Sequence, residues 1–268
     1  MSHNSFAGKV VVITGGARGF GAEFARSFAA AGASVVISDI LEDVGRDTTR
    51  EIGEAGGVAH FIRHDVRLDQ DWSGLVDETL DHFGGFDILI NNAGIEVSKL
   101  IVDTDAEEYR NLLDINLVGS TLGLKHAFLA MKPDGRAGKG GVVINLSSVA
   151  GITSTPGVAI YSASKAAIIR LTEVAAVEAG ALGYDVRVHC LCPSLMRTEL
   201  GEQLINDFAT MGLAESTQAI ADHVLARTPL GRFGAPSDVA EAALYLSSDA
   251  ASFLTGISLP VDGGMSLT

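Results

Sequence analysis

Apolar residues along this chain fall into short, fully hydrophobic runs, separated by longer stretches in which they recur every three or four positions. The runs are KVVVIT (9–14), SVVISD (34–39), VAHFIRHDV (58–66), FDILIN (86–91), GGVVINLS (140–147), DVRVHCLC (185–192) and ISLPV (257–261). Short β-branched runs without polar alternation predict strands buried on both faces. Between them the pattern predicts helices over Gly19–Ala31, Glu42–Ala55 and Asp69–Phe83, then a long one opened by a Thr104/Glu107 capping box and running to about Met131. Further helices are expected from Tyr161 to about Leu182 and over Ser237–Leu246, with an irregular helical stretch from Ser194 to about Arg227. Seven strands alternating with helices, and no linker or repeat, predict one α/β domain over residues 1–268. It is a doubly wound Rossmann arrangement: a seven-stranded parallel sheet with helices on both faces. Ligands bind such sheets beyond the carboxyl ends of the strands, so the residues after each strand carry the candidate chemistry.

The first run leads through Thr14-Gly15-Gly16-Ala17-Arg18-Gly19-Phe20-Gly21 into a helix. Glycines here allow a tight turn and a close approach to a pyrophosphate at a helix N-terminus; a merely flexible turn is the alternative. Asp39 ends the second run, where a carboxylate can accept from both ribose hydroxyls of an adenosine and repels a 2′-phosphate; its plain alternative is a helix N-cap. Arg18 argues the other way, because a basic residue in the glycine loop can pair with that phosphate. Asp39 outweighs it, and NAD is the expected cofactor. Asp65 and Val66 follow the third run, placed to meet the adenine, and Asn91-Asn92-Ala93-Gly94 follows the fourth, leaving room for a ribose.

Ser147 and Ser148 follow the fifth run; Tyr161 lies 13 residues past Ser148 and Lys165 four beyond that, on the same helix face. A phenol with a pKa of about 10 is a poor base at neutral pH. An ammonium about 4 Å away, at an effective dielectric of ~20, favours the phenolate by ~4 kcal/mol, or ~3 pKa units. The expectation is a tyrosine poised for proton transfer.

Taken together, Thr14–Gly21, Asn91–Gly94, Tyr161-Ser-Ala-Ser-Lys165 and Val261-Asp-Gly-Gly264 resemble the short-chain dehydrogenase/reductase family over essentially the whole chain. Thr14–Gly19, Ala22-Glu23 and Asp39-Ile-Leu-Glu42 are most similar to its NAD-dependent hydroxysteroid and cyclic-alcohol dehydrogenases. The resemblance implies a tetrad. Asn116 would hold a water in a proton relay, Ser148 would bond the substrate oxygen, Tyr161 would exchange its proton, and Lys165 would lower the tyrosine pKa and bind the nicotinamide ribose. It also implies cofactor contacts from Gly15, Arg18, Gly19, Phe20, Gly21, Asp39, Ile40, Asp65, Val66, Asn92, Ala93, Gly94, Pro193, Met196 and Thr198. Two positions depart from the family pattern, His189 in place of the usual Asn and Ser194 in place of the usual Gly; both are expected to be structural variants.

Composition narrows the partners. With 33 acidic and 19 basic residues the net charge is −14, and no basic run exceeds a dipeptide, so neither nucleic acid nor an anionic membrane is expected. No apolar run approaches 18 residues and the N-terminus lacks a signal-peptide pattern, which predicts a cytoplasmic protein. Cys190 and Cys192 are too few for a disulfide framework and lack zinc-ligand spacing; no metal is expected.

The apolar stretch Leu195-Met196-Arg197-Thr198-Glu199-Leu200, with Leu204, Ile205, Phe208 and Met211, predicts a mobile substrate lid at about 194–228, although about half of these residues could pack on the core instead. Ile95, Glu96, Ile152 and Thr153 are candidate pocket residues, with Leu195, Leu200 and Leu204. The expected substrate is a bulky hydrophobic secondary alcohol or ketone, steroid- or terpenoid-like. One alternative is 3-oxoacyl-thioester reduction, set back by the acidic chain and the absence of Lys and Arg from Leu171–Gly183, where an acidic carrier would need a basic patch. Another is a non-catalytic NAD-binding regulator, set back by the presence of both Tyr161 and Lys165. The low-charge helix Ala163–Ala181 is expected to pack against a partner subunit, as the family resemblance suggests for a homotetramer.

Overall fold

In the computed structural model, which describes residues 5–196 and 198–268, all seven strands lie parallel in one sheet of order β3-β2-β1-β4-β5-β6-β7. Met1–Asn4 and Arg197, the latter within the predicted lid, lie outside the described residues. The strands are β1 (Val10–Thr14), β2 (Ser34–Asp39), β3 (Val58–Arg63), β4 (Ile88–Asn91), β5 (Gly141–Leu146), β6 (Val186–Pro193) and β7 (Ser258–Val261). Alternation along β1 divides the core in two. Val11 and Ile13 pack with Phe24 and Phe28 of α1 (Gly19–Ala30), Ile52 of α2 (Glu42–Glu54) and Val239 and Leu244 of α9 (Pro236–Ser247). Val12 faces the opposite layer, with Trp72 and Leu75 of α3 (Asp69–Phe83), Leu124 and Ala127 of α5 (Gly119–Met131) and Ala175 and Ala179 of α6 (Ala159–Ala181). Burial on both faces is why the strands carry so few polar residues. The chain runs outward from β1 to β3, returns, and runs the other way from β4 to β7. The crevice at that reversal, above β1 and β4, is where this class of sheet binds ligands.

Three expectations need correction or refinement. The helix after Thr104 is capped by Asp105, whose Oδ1 accepts from the Glu107 and Glu108 amides at 2.8 and 3.0 Å. The Thr104 hydroxyl instead donates to the Ile101 carbonyl, so the predicted Thr104/Glu107 box is replaced by the neighbouring acid, the stronger acceptor for the first-turn amides. The long helix is interrupted. α4 (Ala106–Leu113) passes through a wide turn, Asp114–Val118, before α5, and Asn116 sits in that turn. The stretch after Pro193 resolves into α7 (Glu199–Thr210) and α8 (Thr217–Ala226).

His189 finds its reason here. It is fully buried on β6, and its Nε2 lies 3.0 Å from the Arg187 guanidinium. That guanidinium also donates to the carbonyls of Leu246, in the last turn of α9, and of Ser248 and Ala251 just beyond it. Burial and the adjacent cation hold the His189 imidazole down at about 4, so it stays a neutral acceptor.

Candidate active site

The crevice begins at the turn after β1. Gly15 adopts φ +61°, and a Cβ at Gly21 would fall 2.0 Å from the Gly15 carbonyl oxygen, so the first turn of α1 rests directly on the loop. Side chains from the neighbouring strand ends fix that loop. Asn92 Nδ2 donates to the carbonyls of Thr14 and Gly15 at 2.9 Å, while Thr14 Oγ1 accepts from the Asn92 and Ala93 amides at 3.1 Å. Asp39 Oδ2 accepts from the Ala17 amide and Oδ1 from the Leu41 amide, each at 3.0 Å. The N-terminus of α1 has no side-chain cap and no acidic residue in its first turn. A backbone cradle with no room for a Cβ at Gly15, Gly16 or Gly21, and with uncapped N–H groups at its rim, fits the pyrophosphate of a dinucleotide.

One cleft of about 1320 Å3 runs from this loop across the carboxyl ends of the strands. It exceeds the ~300–1,000 Å3 of a single-ligand site, which leaves room for two ligands side by side. Every predicted cofactor and pocket residue lines it except Gly21, which lies beneath the loop, and Ile152. Of the four tetrad residues, Ser148, Tyr161 and Lys165 line it and Asn116 does not. Ile152, expected in the pocket, is absent from the lining and about half exposed, because the short turn Val149–Gly151 directs it outward.

Asn92 was expected to make room for a ribose; its amide is turned back into the glycine loop instead. Asn116 is fully buried. Its Oδ1 accepts from the Ile95 amide at 2.9 Å, and its Nδ2 donates to the Ile95 carbonyl at 2.9 Å and the Ser164 hydroxyl at 3.2 Å. The amide therefore ties the segment after Gly94 to α6, the helix that carries Tyr161 and Lys165.

Lys165 Nζ donates to the Leu146 carbonyl at 2.8 Å and lies 5.5 Å from the centroid of the Tyr161 ring. Burial lowers the ammonium to about 8. Tyr161 keeps some exposed surface, yet loss of water around its hydroxyl pushes the phenol up to about 12; the Glu96 carboxylate pushes the same way and a hydrogen bond with Ser148 opposes both. The expected fall is thus reversed. The ammonium is directed at a carbonyl rather than at the phenol oxygen, and desolvation outweighs it. Ser148 Oγ also accepts from the Ala150 amide at 3.1 Å, which fixes it at the end of β5.

Sequence reasoning missed several lining residues. Arg67 clamps Asp65 with Nε at 3.0 Å and Nη2 at 2.6 Å, and its other Nη reaches Asn111 at 3.1 Å. The i, i+2 acid–base spacing could have signalled that pair. Glu199 pairs with Arg18 at 2.6 Å across 181 positions, and Ile220, His223 and Val224 enter the cleft from α8; no local pattern announces either.

Comparisons with known proteins bear on the chain as a whole. A family model described as enoyl-(acyl carrier protein) reductase matches residues 15–266. The chain is 39% identical to 3beta-hydroxysteroid dehydrogenase 1 of Eggerthella lenta, over 99% of this chain and 96% of that one. It is 37% identical to the NADP-dependent (R)-specific alcohol dehydrogenase of Lentilactobacillus kefiri, over 72% and 71%. Among solved structures, a short-chain type dehydrogenase/reductase from Mycobacterium marinum superimposes with a TM-score of 0.87 at 32% identity, covering 99% and 98% of the two chains.

Proposed function

The chain belongs to the short-chain dehydrogenase/reductase family of oxidoreductases, and on that premise we propose that it is an NAD-dependent dehydrogenase interconverting a hydrophobic, cyclic secondary alcohol and its ketone. The observation that carries the reading is the meeting of Ser148, Tyr161 and Lys165 on one cleft that starts at the glycine cradle. The nicotinamide supplies or receives the hydride. Ser148 holds the substrate oxygen, and the Tyr161 hydroxyl takes or gives that oxygen's proton. Lys165, fixed by the Leu146 carbonyl, keeps a positive charge beside the ring and offers its remaining protons to the cofactor ribose. Asn116 acts through the segment it braces. The Tyr161 phenol would be drawn toward its ionised form by the positive charge of an oxidised nicotinamide in the cleft, against the desolvation that raises it.

Asp39 supports NAD over NADP. Its two oxygens are held toward the rim of the loop by the Ala17 and Leu41 amides, where they receive ribose hydroxyls and oppose a 2′-phosphate. Arg18, the residue that argues for the phosphate, is engaged by Glu199. The apolar residues Leu195, Leu200, Leu204 and Phe208 support a hydrophobic substrate under a lid formed by α7 and α8. The description of the matching family model favours a second reading, reduction of an acyl thioester. One absorbance screen at 340 nm separates them, with NAD and NADP each offered steroid, terpenoid and cyclohexyl alcohols and ketones and acyl thioesters. The proposal expects NAD-linked turnover of a cyclic alcohol or ketone. A clear NADP preference overturns the reading of Asp39, and turnover confined to thioesters overturns the substrate class.

A further inference from the structure

Glu96 stands in the cleft wall just past the ribose-side loop, on the segment braced by Asn116. Ser98 donates to its Oε1 at 2.7 Å. Its Oε2 is shut off from water and has no hydrogen-bond partner among the described residues. The carboxyl is near enough to Tyr161 for its charge to act on the phenol, and near enough to Asp207 of α7 to feel that charge in turn. Val158, Leu204, Phe208 and Leu213 line the same cleft. A hydrophobic reaction site has no structural need for a carboxyl there: an apolar residue would pack against the same wall without leaving an unsatisfied oxygen.

We infer that Glu96 is a second polar anchor for the substrate, and that the preferred substrates carry a further hydroxyl besides the reacting one: diols and hydroxyketones on an otherwise hydrophobic frame. The inference rests on the dehydrogenase reading above. A hydroxyl suits the site better than an ammonium. It can donate to the ionised carboxyl or accept from the protonated one, whereas an ammonium requires the charged form that burial disfavours. A carboxylate-bearing substrate meets two acids, Glu96 and Asp207, and is disfavoured. Presenting the free oxygen to a ligand requires the carboxyl to rotate about its terminal bond, a soft torsion. Anchored there and at Ser148, the substrate is held at two points, which restricts which face of the reacting carbon meets the cofactor.

The test compares kcat/KM with NAD for mono-ols and diols on the same frame, cyclohexanol against the cyclohexanediols and a steroid mono-ol against its diol, in the wild type, Glu96→Leu and Glu96→Gln. In the wild type the best diol should exceed its mono-ol by at least tenfold, about 1.4 kcal/mol. Glu96→Leu should reduce that ratio to about two, the statistical factor for two equivalent hydroxyls, and Glu96→Gln, which keeps hydrogen-bonding atoms, should keep part of it. A residue that only supports the fold would lower both alcohols alike and leave the ratio unchanged. An unchanged ratio in Glu96→Leu, or no diol preference in the wild type, overturns the inference and leaves the dehydrogenase reading standing. A wild type that oxidises none of these alcohols overturns that reading, and this inference with it. Should Glu96→Leu fail to fold, Glu96→Met carries the same expectation.

Discussion

The two walls of the cleft are built in different ways. On the cofactor side, the turn after β1 and the loop after β4 are held by side-chain-to-backbone hydrogen bonds of Asp39, Asn92 and Thr14, which stand at or just past the ends of β2, β4 and β1. On the opposite side, α7 buries only Gly201 and α8 only Ile220 and Val224 among the described residues, and a bridge from Met196 to Gly234 ties the start of this segment to the chain beyond it. A wall over-determined by strand ends keeps one shape, while a wall with few buried contacts opens at low cost. That is the division of labour expected where one ligand needs a fixed cradle and another must enter and leave.

Tyr161 stands where the two walls meet, and its removal should produce the largest effect. Tyr161→Phe is expected to lower turnover by about 10^3-fold, within the usual range for a positioned acid–base group. NAD binding, read from quenching of the Trp72 fluorescence, should stay nearly as tight as in the wild type; loss of both together would mean that the walls are not separable. Gly21→Ala attacks the rigid wall itself. With a Cβ at 2.0 Å from the Gly15 carbonyl the loop must shift, and overpacking of this kind weakens NAD binding by up to about 100-fold. Unaltered binding in a folded Gly21→Ala protein would show that the loop yields more easily than its bracing implies.

Acid should loosen the sheet first. His64, 2% exposed beside the cleft, and His189 are both held neutral, at about 4, chiefly by burial. In the unfolded chain each takes up its proton near 6.5, so the unfolded state binds more protons over that window. Stability is therefore full above about pH 6.5 and is lost as the pH falls toward 4, by up to about 3 kcal/mol per histidine. Melting temperatures across pH 7.5 to 4 should fall accordingly, and His189→Asn should flatten the slope; an equally steep slope would remove His189 from the account. The smallest effect belongs to the contact that joins the walls. Arg18 and Glu199 are both largely exposed, so Glu199→Gln should improve the KM for NADP by less than about fivefold. A larger gain would make Glu199 a main determinant of cofactor choice.

Much of the fold was legible because burial on both faces leaves a direct trace in the chain. VVVIT and ILIN cannot be amphipathic helices or half-exposed strands, and the helices between them show their own periodicity. The cap at Asp105 was missed because Thr104 and Asp105 are both competent acceptors, and only the path of the chain decides which one meets the helix amides. In the site, the glycine spacing and the four-residue step from Tyr161 to Lys165 were visible. The pairing of Arg18 with Glu199 and the nearness of Glu96 to Tyr161 were not, since each joins segments far apart in the chain.

The sequence by itself determined what depends on neighbours in the chain: seven strands, the helices between them, a glycine loop at the mouth of α1, and a tyrosine and a lysine on one helix face. The tertiary structure alone decided what depends on distant neighbours and on water. It turned Asn92 inward, gave His189 an arginine to receive, left one oxygen of Glu96 without a hydrogen-bond partner, and raised the Tyr161 phenol where the spacing to Lys165 had predicted a fall. The physical reason is that periodicity and spacing are local properties, written residue by residue. Desolvation and partner choice arise only when remote elements close over the same small volume.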